Sequence, residues 1–376
     1  MYKPAIEEAL KKIEANITHF NSEFPHTSED KKYVLNPNTN WTNGFWVGLL
    51  WQAYEVSQES VFKNAAQLYT RLMEERLTEN RGLDTHDIGF LYTPSVVAEW
   101  QIKEKPESKD FGIKAADRLM ERYRENIGII QAWGPLGDPT QGGRIIIDCL
   151  MNMPLLFWAS EKTGKDNYKN AAIAFIDKAR RYLIRGDDSS YHTFYFNQET
   201  GQPEKGATQQ GYADGSTWTR GQAWAIYGFA LAYRYTGDKN YLETSLRTAK
   251  FFVDHLPEHF VAYWDFDAPV DDTIKPDSSA SAIAACGFHE LLDLLDGSSE
   301  YDWIKEALNK TMDALISDYT TEEDSQGLID HGSYSVREGK SPDSYTIWGD
   351  YFYFEALLRL EHNLRGYWYE SKKDSN

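Results

Sequence analysis

The chain has 376 residues, 41% of them hydrophobic and 14% aromatic, enough to enclose a large core, so disorder is excluded as the general state. Its formal net charge of -19 argues against nucleic acid and anionic membrane as partners, because both require basic surface. Two cysteines, Cys149 and Cys286, cannot frame a zinc site, and their apolar surroundings favour buried free thiols over a disulfide.

The N-terminal stretch MYKPAIEEALKKIEANI has no apolar signal core. Ile6, Ala9, Leu10, Ile13 and Ile17 fall on one face of a helix. No stretch is long and apolar enough to span a bilayer, which leads to the expectation of a cytoplasmic protein. The N-x-[ST] matches at Asn16, Asn40 and Asn309 are then coincidental.

Helical patterns recur in pairs from there on. A loop rich in Asn, Thr and Trp (NPNTNWTNGFW) leads into FWVGLLWQAY at 45–54, apolar around most of its circumference. The turn VSQESVF at 56–62 ends it. LDTHDIGFLYTP leads into the next apolar helix, which ends near KEKPESKDF at 103–111. GPLGDPTQGGR leads into the third, and TGKDNY at 163–168 closes it ahead of the amphipathic YKNAAIAFIDKARRYL. QQGYADGSTWTRG precedes GQAWAIYGFALAYRY at 221–235, closed by TGDKNY 73 residues after the earlier copy. KPDSSASA and DGSSEY (296–301) bracket the fifth, and GKSPDSYTIWGDY and EHNLRGYW (361–368) the sixth. Each turn would end one helix and start the next.

Six hairpins with an apolar first helix and a one-sided second helix predict an all-α (α/α)6 barrel, a six-hairpin toroid forming a single domain over 1–376. All six long loops would then meet at one end. Their Trp, Tyr and Asp residues suit a sugar, although each aromatic can equally be packing at a core end.

One carboxylate interrupts the apolar run GGRIIIDCLMNMPLLFWAS at 142–160. Asp148 is costly to bury as an ion. One reading is a structural pair with Arg144, four residues earlier on the same helical face. The other is a proton donor whose pKa is raised by desolvation. Asp84, His86 and Asp87 stand before another apolar helix, where one of them can be an N-cap. Asp87 can instead face Asp148, since paired carboxylates with separated pKa values serve acid/base chemistry on glycosidic bonds. His192, among aromatics in SSYHTFYF, reads as structural or as a ligand contact. Arg220, flanked by Trp218 and Trp224, reads as a carboxylate binder or as the partner of a local acid. Phosphate-loop, zinc-protease and nucleophile-elbow motifs are absent.

The segments YVLNPNTNWTNGFWVGLLW, DTHDIGFLY, IIQAWGP, GGRIIIDCLMNMPLL, RGDDSSYHTFYF, DGSTWTRGQAWAIYGFAL, DSSASAIAACG and YTIWGDYFYFEALLRLE together resemble glycoside hydrolase family 88, the unsaturated glucuronyl hydrolases. The resemblance runs over essentially the whole chain. It implies an (α/α)6 barrel, and the absent motifs already make acid/base chemistry without cofactor or metal the economical reading. It also implies release of a 4,5-unsaturated uronic acid from lyase-generated oligosaccharides by hydration of the C4=C5 enol ether. The family's proton-donating Asp matches Asp148 and its second essential Asp matches Asp87. Its sugar-lining residues match Trp41, Trp133, His192, Gln210, Arg220 and Trp224. Members that prefer sulfated fragments carry an S-x-x-S-x-K motif. The matching stretch here is SVREGK, which retains Ser335 and Lys340 but places Glu338 where the middle Ser stands. A carboxylate there repels sulfate, so unsulfated disaccharides are expected. The expected partner is an unsaturated oligosaccharide, with the protein a monomer or weak homo-oligomer. Alternatives are an unsaturated rhamnogalacturonyl hydrolase, an inverting glucan hydrolase on the same barrel, and a carbohydrate-binding protein without activity.

Overall fold

A computed structural model describes residues 2–295 and 297–370. The chain begins with α1 (Lys3–Phe20) and the hairpin β1 (Phe24–Glu29) and β2 (Lys32–Asn36). Next come α2 (Asn43–Ser57) and α3 (Ser60–Thr78). Then α4 (Ile88–Tyr92), a π-helical turn (Thr93–Val97) and α5 (Ala98–Lys103) run on as one helix, followed by α6 (Pro106–Met120). Pro94 lies inside the π turn and has no N–H to continue the α pattern. After the short pair β3 (Tyr123–Arg124) and β4 (Ile129–Ile130), β5 (Arg144–Ile146) leads into a 3-10 turn (Ile147–Asn152), α7 (Met153–Thr163) and α8 (Asp166–Tyr182). The hairpin β6 (Thr193–Phe196) and β7 (Pro203–Ala207) adds to β5 in a three-stranded antiparallel sheet. The rest is α9 (Thr219–Thr236), α10 (Lys239–Asp254), α11 (Ser278–Leu294), α12 (Tyr301–Asp318) and α13 (Ile347–His362).

The inner helices form a closed ring. α2 packs on the α4–α5 helix, which meets the 3-10 turn and α7; these meet α9, then α11 and α13, and α13 returns to α2. Ring closure explains the apolar circumferences. Every residue of α2 from Asn43 to Ala53 is buried, as is every residue of α9 from Thr219 to Ala232. Outer α8 buries only Tyr168, Ala171, Ala172, Phe175, Ile176 and Ala179. The turns behave as their glycines predict. Gly164 and Gly237 end α7 and α9 at φ 70°, a left-handed conformation that glycine adopts without strain. Asp238 then accepts from the Asn240 N–H at 2.9 Å and caps α10. Of the DGSSEY turn, Asp296 lies outside the described residues. Cys149 and Cys286 are buried free thiols.

Two expectations need correction. Residues 363–370 do not form the outer helix of the sixth hairpin. α1 packs on α13 in that place, so the first and last described helices close the ring together. Residues 363–370 instead fold across the far end of the barrel, with Tyr367, Trp368 and Tyr369 buried. Arg144 is not on the helical face of Asp148 either. It belongs to β5, where pairing with β6 outweighs a helical start, and Asp148 sits in the first turn of the 3-10 segment.

Candidate active site

Loops leading into the inner helices converge around a cavity of about 430 Å³. Its walls are Thr39, Asn40 and Trp41 ahead of α2; Gly82, Thr85 and Asp87 ahead of α4; Trp133 and Asp148 around β5; Gln209 and Gln210 ahead of α9; and Tyr334 and Glu338 ahead of α13. Backbone pairing aligns these loops. The His86 N–H donates to the Ala132 carbonyl at 2.8 Å and the Ala132 N–H to the Arg144 carbonyl at 3.0 Å. The Ile147 N–H donates to the His192 carbonyl at 3.0 Å. The loop bearing Asp87, the strand before Asp148 and the strand bearing His192 are thereby tied together.

The two carboxylates differ in their surroundings. Asp87 occupies the N-cap position of α4, yet its side chain does not cap the helix. It accepts from Thr85 Oγ1 at 2.5 Å, and His86 Nε2 lies 3.3 Å from its Oδ1. Burial pulls His86 down to about 3, so the imidazole is neutral. Burial pushes Asp87 up to about 6, opposed by Thr85, Arg122, Asn152 and Arg76. Asp148 is 9% exposed, and its Oδ1 has no hydrogen-bond partner among the described residues. Burial, and secondarily the charge of Asp87, push Asp148 up to about 7, against Arg220 and Arg144. Donors concentrated on Asp87 make it the first to ionise, and Asp148 keeps the proton.

Asn152 links the two. Its Oδ1 accepts from the Phe90 N–H at 2.7 Å and its Nδ2 reaches the Asp148 carbonyl at 3.4 Å. The crossing is close because Gly89 has no side chain: a Cβ there would lie 2.4 Å from the Asn152 Cα.

Of the residues singled out in the sequence, Trp41, Trp133, Gln210, Asp87 and Asp148 line the cavity, and the others stand behind or beside it. His192 is buried, with Nδ1 accepting from the Gln209 N–H at 2.9 Å and the Gln210 N–H at 3.3 Å. That places its proton on Nε2, a donor with no partner among the described residues. Arg220 is committed elsewhere. It pairs with buried Asp277 at 2.8 Å, donates to the Ser333 and Tyr334 carbonyls, and packs 4.5 Å from the Trp218 ring centre. Arg220 therefore pairs with an acid, but not a local one: Asp277 comes from the KPDSSASA loop, 57 residues away. Trp224 is buried and does not line the cavity; its ring centre lies 5.3 Å from Phe352 and 5.1 Å from Phe90, which in turn packs at 5.8 Å on the cavity-lining Trp41. Ser335 is buried, while Lys340 is exposed and lies 3.3 Å from Glu338.

Glu338 was singled out only as a departure that affects sulfate preference, and Tyr334, Gln209, Thr85 and Asn152 were not singled out. Gln209 donates to Glu338 at 2.8 Å, and Gln210 to the Tyr334 carbonyl at 2.8 Å, which joins the loop before α9 to the loop before α13. Thr85 and Gln209 each lie within two residues of a residue that was chosen, so proximity was the available signal. Asn152 carried none, because only helix crossing brings it to Asp87. Among the described residues no cluster of three or more His, Cys, Asp or Glu side chains converges as metal ligands would.

The profile of Glycosyl Hydrolase Family 88 matches residues 16–365. The chain is 51% identical over 374 residues to an unsaturated glucuronyl hydrolase of Bacillus sp. (strain GL1), covering 98% of this chain and 99% of that protein. It is 44% identical over 368 residues to an unsaturated chondroitin disaccharide hydrolase of Streptococcus pyogenes serotype M1, covering 97% and 92%. The crystal structure of the Bacillus sp. GL1 unsaturated glucuronyl hydrolase matches with a TM-score of 0.98 at 50% identity, over 99% of this chain and 100% of that one. An Asp-to-Asn mutant of the Streptococcus agalactiae enzyme complexed with dGlcA-GalNAc6S matches with a TM-score of 0.87 at 40% identity, over 98% and 93%. The barrel, the cavity at the convergence of its loops and these relatives agree: the chain is a glycoside hydrolase and belongs to Glycosyl Hydrolase Family 88.

Proposed function

We propose that the protein is an unsaturated glucuronyl hydrolase, releasing the 4,5-unsaturated uronic acid from the non-reducing end of lyase-generated oligosaccharides. The observation that carries this reading is Asp148: a buried carboxyl on the cavity wall, with Oδ1 unpartnered and Asp87 acting on it. A vinyl ether conjugated to a carboxylate takes a proton at C4, leaving a cation at C5 stabilised by the ring oxygen. Protonated Asp148 supplies that proton. As a carboxylate it then accepts a proton from the water that adds at C5. The hemiketal opens and expels the aglycone, and Asp148 is again protonated. Asp87 holds the sugar hydroxyls and, as an anion, helps Asp148 keep its proton. Trp41 and Trp133 flank the flattened ring, Gln210 meets its polar groups while His192 holds the Gln209 and Gln210 N–H groups from behind, and Arg220 orients the loop bearing Tyr334. Trp224 supports Trp41 through Phe90.

The preferred aglycone is unsulfated. Glu338 lines the cavity and neutralises Lys340, so an incoming sulfate meets a carboxylate and finds the nearby ammonium already paired. Ser335 shapes the turn that carries both. We also propose that residues 1–376 act as one catalytic domain, in the cytoplasm, as a monomer or weak homo-oligomer. No helix among the described residues is long and apolar enough to cross a membrane.

The test is loss of the double-bond absorbance with a panel of lyase-generated disaccharides: unsulfated and 6-sulfated chondroitin, and a pectin-derived one. Turnover is expected to be highest with the unsulfated glucuronyl substrate. Exclusive activity on the pectin disaccharide would overturn the reading, and a strong sulfate preference would overturn the role of Glu338.

A further inference from the structure

Three arginines behind the cavity wall raise a question the reaction does not answer. Arg76, Arg122 and Arg144 are 0%, 1% and 3% exposed, and among the described residues none makes an ion pair. The carboxylates that act on them do so without an ion pair: Asp87 on Arg76 and Arg122, Asp84 also on Arg122, and Asp148 on Arg144. A buried charge left without a direct partner is costly unless something else uses it. Burial pulls Arg76 and Arg122 down to about 10, which leaves both protonated at neutral pH.

Their hydrogen bonds go to neutral groups that hold the wall. Arg76 donates to the carbonyls of Thr39 at 3.1 Å, Asn40 at 2.7 Å and Gly82 at 3.0 Å, all cavity-lining residues. Arg122 donates to the carbonyls of Gln131 at 2.8 Å and Gly134 at 3.0 Å, on either side of Trp133. Arg144 donates to Thr193 Oγ1 at 3.0 Å and Gln141 Oε1 at 3.2 Å, and its guanidinium lies 4.4 Å from the centre of the Trp133 ring. Carbonyls and amides satisfy the donors but leave the charges intact.

We propose that Arg76, Arg122 and Arg144 form a cationic collar behind the cavity wall that draws the carboxylate of a uronate into the site of an otherwise strongly acidic protein. The proposal rests on the functional reading above and adds to it the source of anion attraction. A chain of net charge -19 repels a uronate at long range, and Asp87 and Glu338 in the wall repel it at short range. Arg220 is matched by Asp277, and Lys340 by Glu338. The three arginines are the cations near the wall that no described carboxylate pairs. Arg144 also polarises Trp133 from behind, which makes the opposite ring face less repulsive to an anion.

Arg144 is the member to test, because Arg76 and Arg122 hold several carbonyls and their loss would disturb the loops. Arg144→Met keeps a long side chain against Trp133, and Arg144→Lys keeps the charge. With an unsaturated uronate disaccharide, Arg144→Met is expected to raise KM about fivefold or more, consistent with one partly screened charge. It also removes a cation that favours ionised Asp148. The charged groups facing Asp148 are Asp87, Arg220 and Arg144. The high-pH limb of kcat/KM, where the proton on Asp148 is lost, should therefore move to higher pH. Arg144→Lys should restore both. Unchanged KM and pH limb in Arg144→Met, or an Arg144→Lys protein as impaired as Arg144→Met, would overturn the collar and leave Arg144 a packing residue. If the native protein consumes no unsaturated uronate, the functional reading fails by itself. Calorimetric binding of plain glucuronate to the native and Arg144→Met proteins then still decides the collar: weaker binding by Arg144→Met supports it, and equal binding overturns it.

Discussion

The two ends of the barrel treat buried charge in opposite ways. At the end away from the cavity, carboxylates and cations match. Glu355 accepts from Arg359 at 3.0 Å, Tyr227 at 2.5 Å and Trp368 at 3.0 Å. Glu290 accepts from Arg359 at 3.1 Å, from Tyr369 at 3.2 Å and from Arg234. The C-terminal residues complete this closure, with Trp368 stacked on Phe352 and Glu370 accepting from Trp100 and Trp158. At the cavity end Arg220 is paired with Asp277, but among the described residues Asp148 keeps an oxygen unpartnered and Arg76, Arg122 and Arg144 make no ion pair. A low-dielectric interior strengthens satisfied networks and penalises unsatisfied groups. The closed end therefore holds the ring together, and the open end keeps reactive groups poised at a cost in stability.

The comparison can be broken most sharply at Asp148. Asp148→Asn should lower kcat by about a thousandfold, the scale of a lost general acid, as read by the double-bond absorbance. Its effect on stability should have the opposite sign. Asp148 and Asp87 are raised to about 7 and about 6, so the folded protein binds more protons than the unfolded chain between about pH 4 and pH 7. The share of stability linked to these groups is full below about pH 4 and is lost as pH rises to about 7. The Tm of Asp148→Asn should then exceed that of the native protein at pH 8, and the two should converge near pH 4.

At the other end, Arg359→Met leaves Glu290 and Glu355 short of a cation. A loss of about 3–5 kcal/mol is expected by denaturant unfolding, with kcat per folded molecule retained. A fall in kcat without a loss of stability would dissolve the distinction between the ends. The smallest change is Gly89→Ala. The methyl would press on Asn152 and push apart the helices that carry Asp87 and Asp148. It should cost about 1–3 kcal/mol and lower kcat more than it raises KM.

Much of this was legible in the chain itself. Ile6, Ala9 and Ile13 marked α1, and the buried circumferences of α2 and α9 followed from FWVGLLWQAY and GQAWAIYGFALAYRY. Asp148 stood out because an apolar run does not tolerate a carboxylate without reason. Spacing alone could not separate donor from ion pair, and it misled for Arg144 because GGRIII pairs as a strand. Arg220 was ambiguous for the same reason: its counter-ion, Asp277, is 57 residues away.

Periodicity and turn chemistry are local, so the amino-acid order determined the hairpins, their apolar faces and the loops that would carry function. Ring closure is not local. Only the tertiary structure decided that α1 completes the hairpin of α13, that the tail seals the far end, and which buried charges find partners. An ion's environment is set by what packs around it from distant segments, and those contacts separate Asp148 and Arg144 from Glu355 and Arg359.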